Sequence, residues 1–444
     1  MPYIPHTEED RREMLATIGA STIDELFREI PADLRVQPGE LNLPPALSEP
    51  ELIAHLRDIA LTSVNMADTH CFLGAGIYDR YIPASVGAVI SRGEFLTAYT
   101  PYQPEVSQGY LQTIYEFQSM VAEIYGMDLA NASMYDGATA MAEAAIMAYG
   151  IKGKGKVAVS DAVHPHYRQV LTTYAWSIGI DVATIASSDG RTSTYEGLDG
   201  ASCLIVQYPN FFGTIEDLRA AREAATAAGA LLIVVADPVA CALLQPPGAF
   251  GADIVVGEGQ PMGVAMGLGG PMVGLFACKQ EFVRQIPGRI VGKTKEAHGE
   301  RSGYVMTLRT REQDIRREKA TSNICTNEAL MALAATVYMT ALGKNGLQQT
   351  AESSVRNTQY AIQRLTQAGA KLKFPDLKVF HEFVLELPKN ATEVRDRLLK
   401  SKILAGLPLG SYYPGMENDL LVCCTELRTK DQIDHYAEEL RKAL

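Results

Sequence analysis

Five short apolar runs constrain this chain more than any other feature. They are "KVAVS" (Lys156–Ser160), "CLIVQ" (Cys203–Gln207), "LLIVVAD" (Leu231–Asp237), "DIVVG" (Asp253–Gly257) and "MVGLFAC" (Met272–Cys278). Helical stretches such as the alanine-rich "IEDLRAAREAATAAG" separate them. Runs whose apolar residues are consecutive, not alternate, fit strands buried on both faces, as in a mainly parallel sheet covered by helices. Sites in such sheets lie at the carboxyl ends of the strands, so the residues just after each run are the informative ones.

The flanking segments set the domain layout. Residues 1–65 read as an N-terminal helical arm: Thr7 caps "EEDRREMLATIG", "TIDELFREI" has apolar spacing suited to one helical face, and Pro44 and Pro45 mark a break after it. An arm this short holds little core of its own and needs a surface to lie on. A large α/β domain is expected over 66–335. A small C-terminal α+β domain is expected over 336–444, where "FHEFVLEL" and "DLLVCCTEL" alternate with helices. A chain of 444 residues with 47% hydrophobic content is long enough for both cores.

Composition removes several classes of function. The chain carries 40 Lys+Arg against 52 Asp+Glu, a net charge of −12, and its longest basic cluster is "RREK" (Arg316–Lys319), which argues against nucleic acid. No apolar run reaches the roughly 20 residues of a membrane span, and "MPYIPHTEEDRREML" fits neither a secretory signal nor a mitochondrial presequence. A cytoplasmic protein is expected. Seven cysteines without a CxxC pair argue against a zinc site or a disulfide frame, so no metal is expected and most cysteines read as small core residues.

In chain order, the strand ends give His164 and His166, then Asn210, then Asp237, then a glycine-rich loop holding Gln260. Histidine, asparagine, aspartate and then lysine at successive strand ends is the arrangement of pyridoxal-phosphate enzymes of the aspartate aminotransferase type, fold type I. There the histidine stacks on the pyridine, the aspartate pairs with the ring nitrogen, and the lysine forms the Schiff base. Upstream, "YDGATAMAEAAIMAYG" puts Thr139 at a helix start, where free N–H groups and the helix dipole suit a phosphate. Each piece alone has a plainer reading. The aspartate serves equally as a helix cap, either histidine as a loop hydrogen-bonding group, "DGATA" as an ordinary helix start, and the glycine loop as a turn for close packing.

Longer stretches carry a family resemblance. "TAYTPYQPEVSQGYLQTIYEFQSMVAEIYGMD" (Thr97–Asp128), "YPNFFGTIED" and "RREKATSNICTNEALMALAATVYMTALG" resemble the glycine dehydrogenase (decarboxylating) family, the P-protein of the glycine cleavage system. At half the length of a one-chain P-protein and with its N-terminal-half motifs, the chain resembles subunit 1, the alpha chain of the split heterotetrameric form. The resemblance implies fold type I: a large domain with a mainly parallel sheet, plus a small C-terminal domain. It also implies a partner beta subunit that carries pyridoxal phosphate, an alpha2-beta2 assembly, and no cofactor covalently bound to this chain. The joint reaction would decarboxylate glycine and pass the aminomethyl group to the lipoyl arm of the H-protein.

Laid against the His-Lys-Thr loop of the family's catalytic half, the lysine falls on Gln260 and the histidine on Gly259. A carboxamide is no nucleophile toward an aldehyde, so Gln260 replaces the Schiff-base lysine without its chemistry. Lys279 lies beyond the following strand, and Lys293 and Lys295 lie in a polar connection, so none is placed to substitute. Thr139, His164, Asn210 and Asp237 carry over as a vestigial cofactor set. In this fold type partners lend residues to each other's sites, and "YTPYQPEVSQG" (Tyr99–Gly109), polar and stiffened by Pro101 and Pro104, is the expected inter-subunit loop. Tyr102, Gln103, Glu105, Ser107 and Gln108 are its candidate contacts. Arg316, Arg317 and Lys319 would sit near phosphate or an acidic partner, or simply form a solvated helix end. Two rivals stay open: a self-sufficient pyridoxal-phosphate lyase or aminotransferase, and a purely structural partner subunit.

Overall fold

The computed structural model describes residues 5–36, 39, 41–153, 155–267, 269–296 and 298–444. Leu268 of the glycine-rich loop and residues 1–4 lie outside that set. The chain divides into two compact units, Met1–Val64 and Asn65–Leu444.

The first unit is built from capped helices. Thr7 caps Glu8–Ile18: its hydroxyl accepts from Asp10 N–H at 3.2 Å, while its own N–H donates to the Asp10 carboxylate at 2.7 Å. Ser48 and Glu51 form the same reciprocal pair at the start of Glu49–Leu61. "TIDELFREI" departs from expectation and forms only the 3-10 turn Asp24–Phe27. It is caught between the left-handed stop at Gly19 and Pro31, too short a span for a helix to nucleate without packing. Leu52, Ile53, Leu56, Ile59 and Leu61 are all exposed.

The second unit centres on a seven-stranded sheet. From edge to edge it runs Leu129–Ala130, Gly274–Cys278, Ile254–Glu258, Leu231–Ala236, Ala201–Tyr208, Lys156–Ser160 and Val182–Ile185. The last five are mutually parallel, and Gly274–Cys278 is antiparallel to its neighbour Ile254–Glu258. All six residues of Leu231–Ala236 are buried, as expected of a central strand covered on both faces. One face packs on Gly137–Lys152 and Pro165–Ser177, the other on Gln108–Tyr125, Leu218–Ala227 and the long helix Ala329–Gln367.

A four-stranded antiparallel sheet, ordered Lys371–Leu372, Glu382–Glu386, Asp419–Cys423 and Leu407–Pro408, forms the second core with Ala391–Lys400 and Lys430–Ala443. His70–Cys71 pairs in parallel with Ile403–Leu404, and Phe72 is buried in this core. The sequence boundary at 335/336 falls inside Ala329–Gln367, which breaks at Gly343 (φ 58°, ψ −174°) and not at that boundary. Six of the seven cysteines are buried and all are free. Among the described residues no helix is long and apolar enough to cross a membrane.

Candidate functional site

At the carboxyl ends of the parallel strands lies a cavity of about 50 Å³, lined by His164, Tyr167, Asp237 and Glu258 from the large sheet side and closed by Tyr78, His381 and Glu382. Small-molecule sites usually enclose about 300–1,000 Å³, so this space holds a water or two and no pyridoxal phosphate.

Gln260 is 2% exposed and fully engaged. Its side-chain oxygen accepts from Tyr78 N–H at 2.9 Å, and its amide donates to the carbonyls of Tyr78 at 3.1 Å and Val264 at 2.9 Å. It clamps the incoming segment at Tyr78 to the loop. Lys279 is tied to Asp253, Lys295 pairs with Glu300 at 2.5 Å, and Lys293 lies exposed on the hairpin strand Ile290–Lys295. None of the three lines the cavity.

The vestigial set is only partly brought together. His164 does line the cavity. Its Nδ1 accepts from His166 N–H at 3.1 Å, Nε2 meets the Ala75 carbonyl at 2.9 Å, and its ring stacks on Tyr167 at 4.9 Å and 26°. Burial holds its pKa down to about 4, so the ring is neutral. Asp237 also faces the cavity. Oδ1 accepts from Val239 N–H at 2.7 Å and Ala240 N–H at 3.1 Å, closing the turn that leads into the 3-10 segment Ala240–Ala242. Oδ2 is buried without a hydrogen bond, 3.5 Å from His381 Nδ1. That contact is no ion pair: burial and the Arg80 guanidinium hold His381 neutral, and Arg80 Nη2 already lies 3.1 Å from the same nitrogen.

Asn210 and Thr139 do not reach the cavity. Asn210 is buried and its side chain is fully engaged within the chain: Nδ2 donates to Gly190 O, 20 residues earlier, and to Glu216, and Oδ1 accepts from Phe212 N–H and Thr214 N–H. Thr139 closes a capping box with Asp136, whose Oδ1 accepts from Thr139 N–H at 2.8 Å.

Sequence reasoning missed Glu258. Its Oε2 accepts from Gly137 N–H at 2.9 Å, at the first residue of Gly137–Lys152, and its Oε1 accepts from Gln260 N–H at 2.9 Å and Val273 N–H at 3.2 Å. A carboxylate thus sits on the helix start that reads as a phosphate cradle. Gly137 is required there, because a Cβ would collide with the Tyr167 hydroxyl and the Glu258 backbone. Burial raises the Glu258 pKa to about 7, against the pull of its three N–H bonds. Its place at a strand end was the available signal.

The lid residues were also missed. Glu382 accepts from Ala75 N–H at 2.6 Å and from the Tyr78 hydroxyl at 2.9 Å, and burial raises its pKa to about 7. Arg80, 1% exposed at its side chain, pairs with Glu426 at 2.6 Å. His381, Glu382 and Cys423 hold their donor atoms within 4.8 Å of one another, but the first two are committed to Arg80, Ala75 and Tyr78.

The residues present do not fit pyridoxal phosphate. No lysine lines the cavity, the start of Gly137–Lys152 already carries the Glu258 carboxylate, His164 is stacked on Tyr167, and the remaining space is small.

The candidate inter-subunit loop lies apart from this cavity. Gln108 is not free for a partner: its amide donates to Pro104 O and Tyr304 O, and its oxygen accepts from Tyr304 N–H at 2.8 Å. Ser107 is half-buried at the start of Gln108–Tyr125. Tyr102 carries the guanidinium of Arg309 at 4.9 Å and that of Arg289 at 5.7 Å over its ring. Gln103 and Glu105 are exposed, as are the neighbours Tyr99 (85%) and Val106 (76%). Arg316, Arg317 and Lys319 are exposed and away from the cavity.

Comparison with known proteins places the chain among relatives. The family described as glycine cleavage system P-protein matches residues 1–440. A probable glycine dehydrogenase (decarboxylating) subunit 1 of Anoxybacillus flavithermus is 50% identical over 442 residues, 99% of this chain and 98% of the relative. A crystal structure of glycine decarboxylase (P-protein) of the glycine cleavage system in inhibitor-bound form superposes with a TM-score of 0.92 at 43% identity, covering 100% of both chains. A sphingosine-1-phosphate lyase of Burkholderia pseudomallei, 14% identical with a TM-score of 0.65 over 94% of each chain, shares the fold alone.

Proposed function

The chain belongs to the glycine cleavage system P-protein family, and from that membership we propose that it is the alpha subunit that performs no Schiff-base chemistry itself. A subunit 1 implies a second subunit, and the glycine-decarboxylating reaction would run there, on a lysine-bearing beta chain holding pyridoxal phosphate in an alpha2-beta2 assembly. The lipoyl H-protein would accept the aminomethyl group, and the setting would be cytoplasmic. One observation carries this reading: Gln260, on which the resemblance would place the catalytic half's lysine, uses its side chain to fasten the Tyr78 segment over a cavity of about 50 Å³ that no lysine lines.

This chain's contribution would be shape. The Tyr99–Gly109 loop is held from behind by Gln108 on Tyr304 and by Arg289 and Arg309 on Tyr102, while Tyr99, Gln103, Glu105 and Val106 face outward. Fixed from one side and exposed on the other, the loop suits completion of a neighbour's site at low ordering cost.

The test is incubation of the full chain with pyridoxal phosphate, borohydride reduction and peptide mapping. No site-specific phosphopyridoxyl-lysine is expected; a single stoichiometric adduct would instead establish the self-sufficient enzyme. Glu105→Ala in the assembled complex separates the remaining rival. A fall in glycine turnover with assembly intact supports a contributing loop, and unchanged turnover supports a purely structural subunit.

A further inference from the structure

A pocket without a lysine in its lining could simply stand open, yet side chains leave only about 50 Å³ of this one. Three positions that would each meet part of a bound cofactor are taken by side chains of the same chain. At the start of the sixteen-residue helix Gly137–Lys152, the Glu258 carboxylate accepts Gly137 N–H at 2.9 Å, and it gathers the N–H groups of Gln260 and Val273 on its other oxygen. Over His164, the Tyr167 ring stacks at 4.9 Å and 26° from parallel. Beside Asp237 Oδ2, His381 Nδ1 stands at 3.5 Å. An oxyanion and an aromatic plane are two recognition features of a pyridoxal phosphate, and each has a counterpart of matching chemistry here; His381 only takes up space beside Asp237, because its neutral Nδ1 faces Arg80 Nη2 and has no proton for Oδ2.

We propose that the chain fills its own cofactor pocket, with Glu258 acting as a built-in oxyanion on the helix start and Tyr167 as the ring against His164. Glu258 is the decisive group. The helix N-terminus favours negative charge, and backbone N–H groups left bare in a dry pocket are costly, so a resident carboxylate both satisfies the cradle and repels a second anion. The inference deepens the reading of this chain as a subunit without its own cofactor, since it names the group that keeps the cofactor out.

The experiment is inorganic phosphate binding by the full chain at pH 8, by calorimetry, for wild type, Glu258→Ser and Glu258→Gln. Serine removes the charge and clears space, and phosphate is expected to bind at least tenfold more tightly than to wild type. Glutamine removes the charge but keeps the volume, and no comparable gain is expected. A folded Glu258→Ser that gains nothing overturns the proposal, as does wild type binding phosphate equally well. Should the serine variant not stay folded, its refolding in phosphate against chloride at matched ionic strength replaces the titration. Selective rescue by phosphate is expected, and its absence overturns the proposal. A stoichiometric borohydride-trapped adduct on wild type would sink the subunit reading itself; a silent Glu258→Ser sinks only this inference.

Discussion

Glu258 takes three backbone N–H bonds in a dry pocket, and burial still lifts its pKa from 4.5 to about 7. A carboxyl raised in this way contributes stability that is complete below its unfolded pKa and is lost as pH rises through its folded pKa. Glu258→Gln has no such proton to release. Urea unfolding at pH 5 and pH 8 should therefore show wild type losing about 2.5 kcal/mol relative to the glutamine variant, and parallel pH profiles would contradict the assignment. Glu143 and Glu382, also raised to about 7 by burial, push the wild-type profile in the same direction. Gln260→Lys alone is expected to give no borohydride-trapped adduct by mass spectrometry, because Glu258 and Tyr167 still occupy the pocket. That Gln260 itself can form no Schiff base is legible in the sequence, since what a glutamine cannot do is fixed by its own chemistry. The role of Glu258 was not, because it depends on an amide 121 residues away.

The loop and the long helix each make a prediction about an element. Gln108→Ala strands the backbone N–H and carbonyl of Tyr304, so it is expected to destabilise the chain by about 1–3 kcal/mol in urea unfolding. Tyr99→Ala, at an 85% exposed position, should stay within about 0.5 kcal/mol of wild type. The contrast sets the internal role of Gln108, bonded to Pro104 and Tyr304, against the open position of Tyr99. Gly343 sits at φ 58° and ψ −174°, and a methyl group added there would meet nothing within 4 Å, so Gly343→Ala tests backbone strain alone and is expected to cost about 1–3 kcal/mol. Strands buried on both faces were legible because their central residues are apolar at consecutive positions. Val182–Ile185 was not, being a half-exposed edge with one buried residue in four. "TIDELFREI" has a helical pattern, but pattern without length or a packing surface gives a single 3-10 turn.

At the scale of the whole molecule, two cores share one chain in a way sequence order hides. Phe72 lies in the C-terminal core, and Ala329–Gln367 crosses the boundary that composition suggests, because a strand pairs with whatever neighbour satisfies its backbone. An assembly of this chain with a lysine-bearing partner in equal numbers should release one pyridoxal phosphate per two chains on alkaline denaturation. A ratio of one per chain would contradict the division of labour. The self-occupied pocket also bears on supply and turnover. A protein that needs its vitamin to finish folding exists in proportion to that vitamin, and its empty form is the one degraded. With Glu258, Tyr167 and Gln260 already in place, this chain would mature and persist at the same rate in scarcity and in plenty, ready as a template whenever a charged partner arrives.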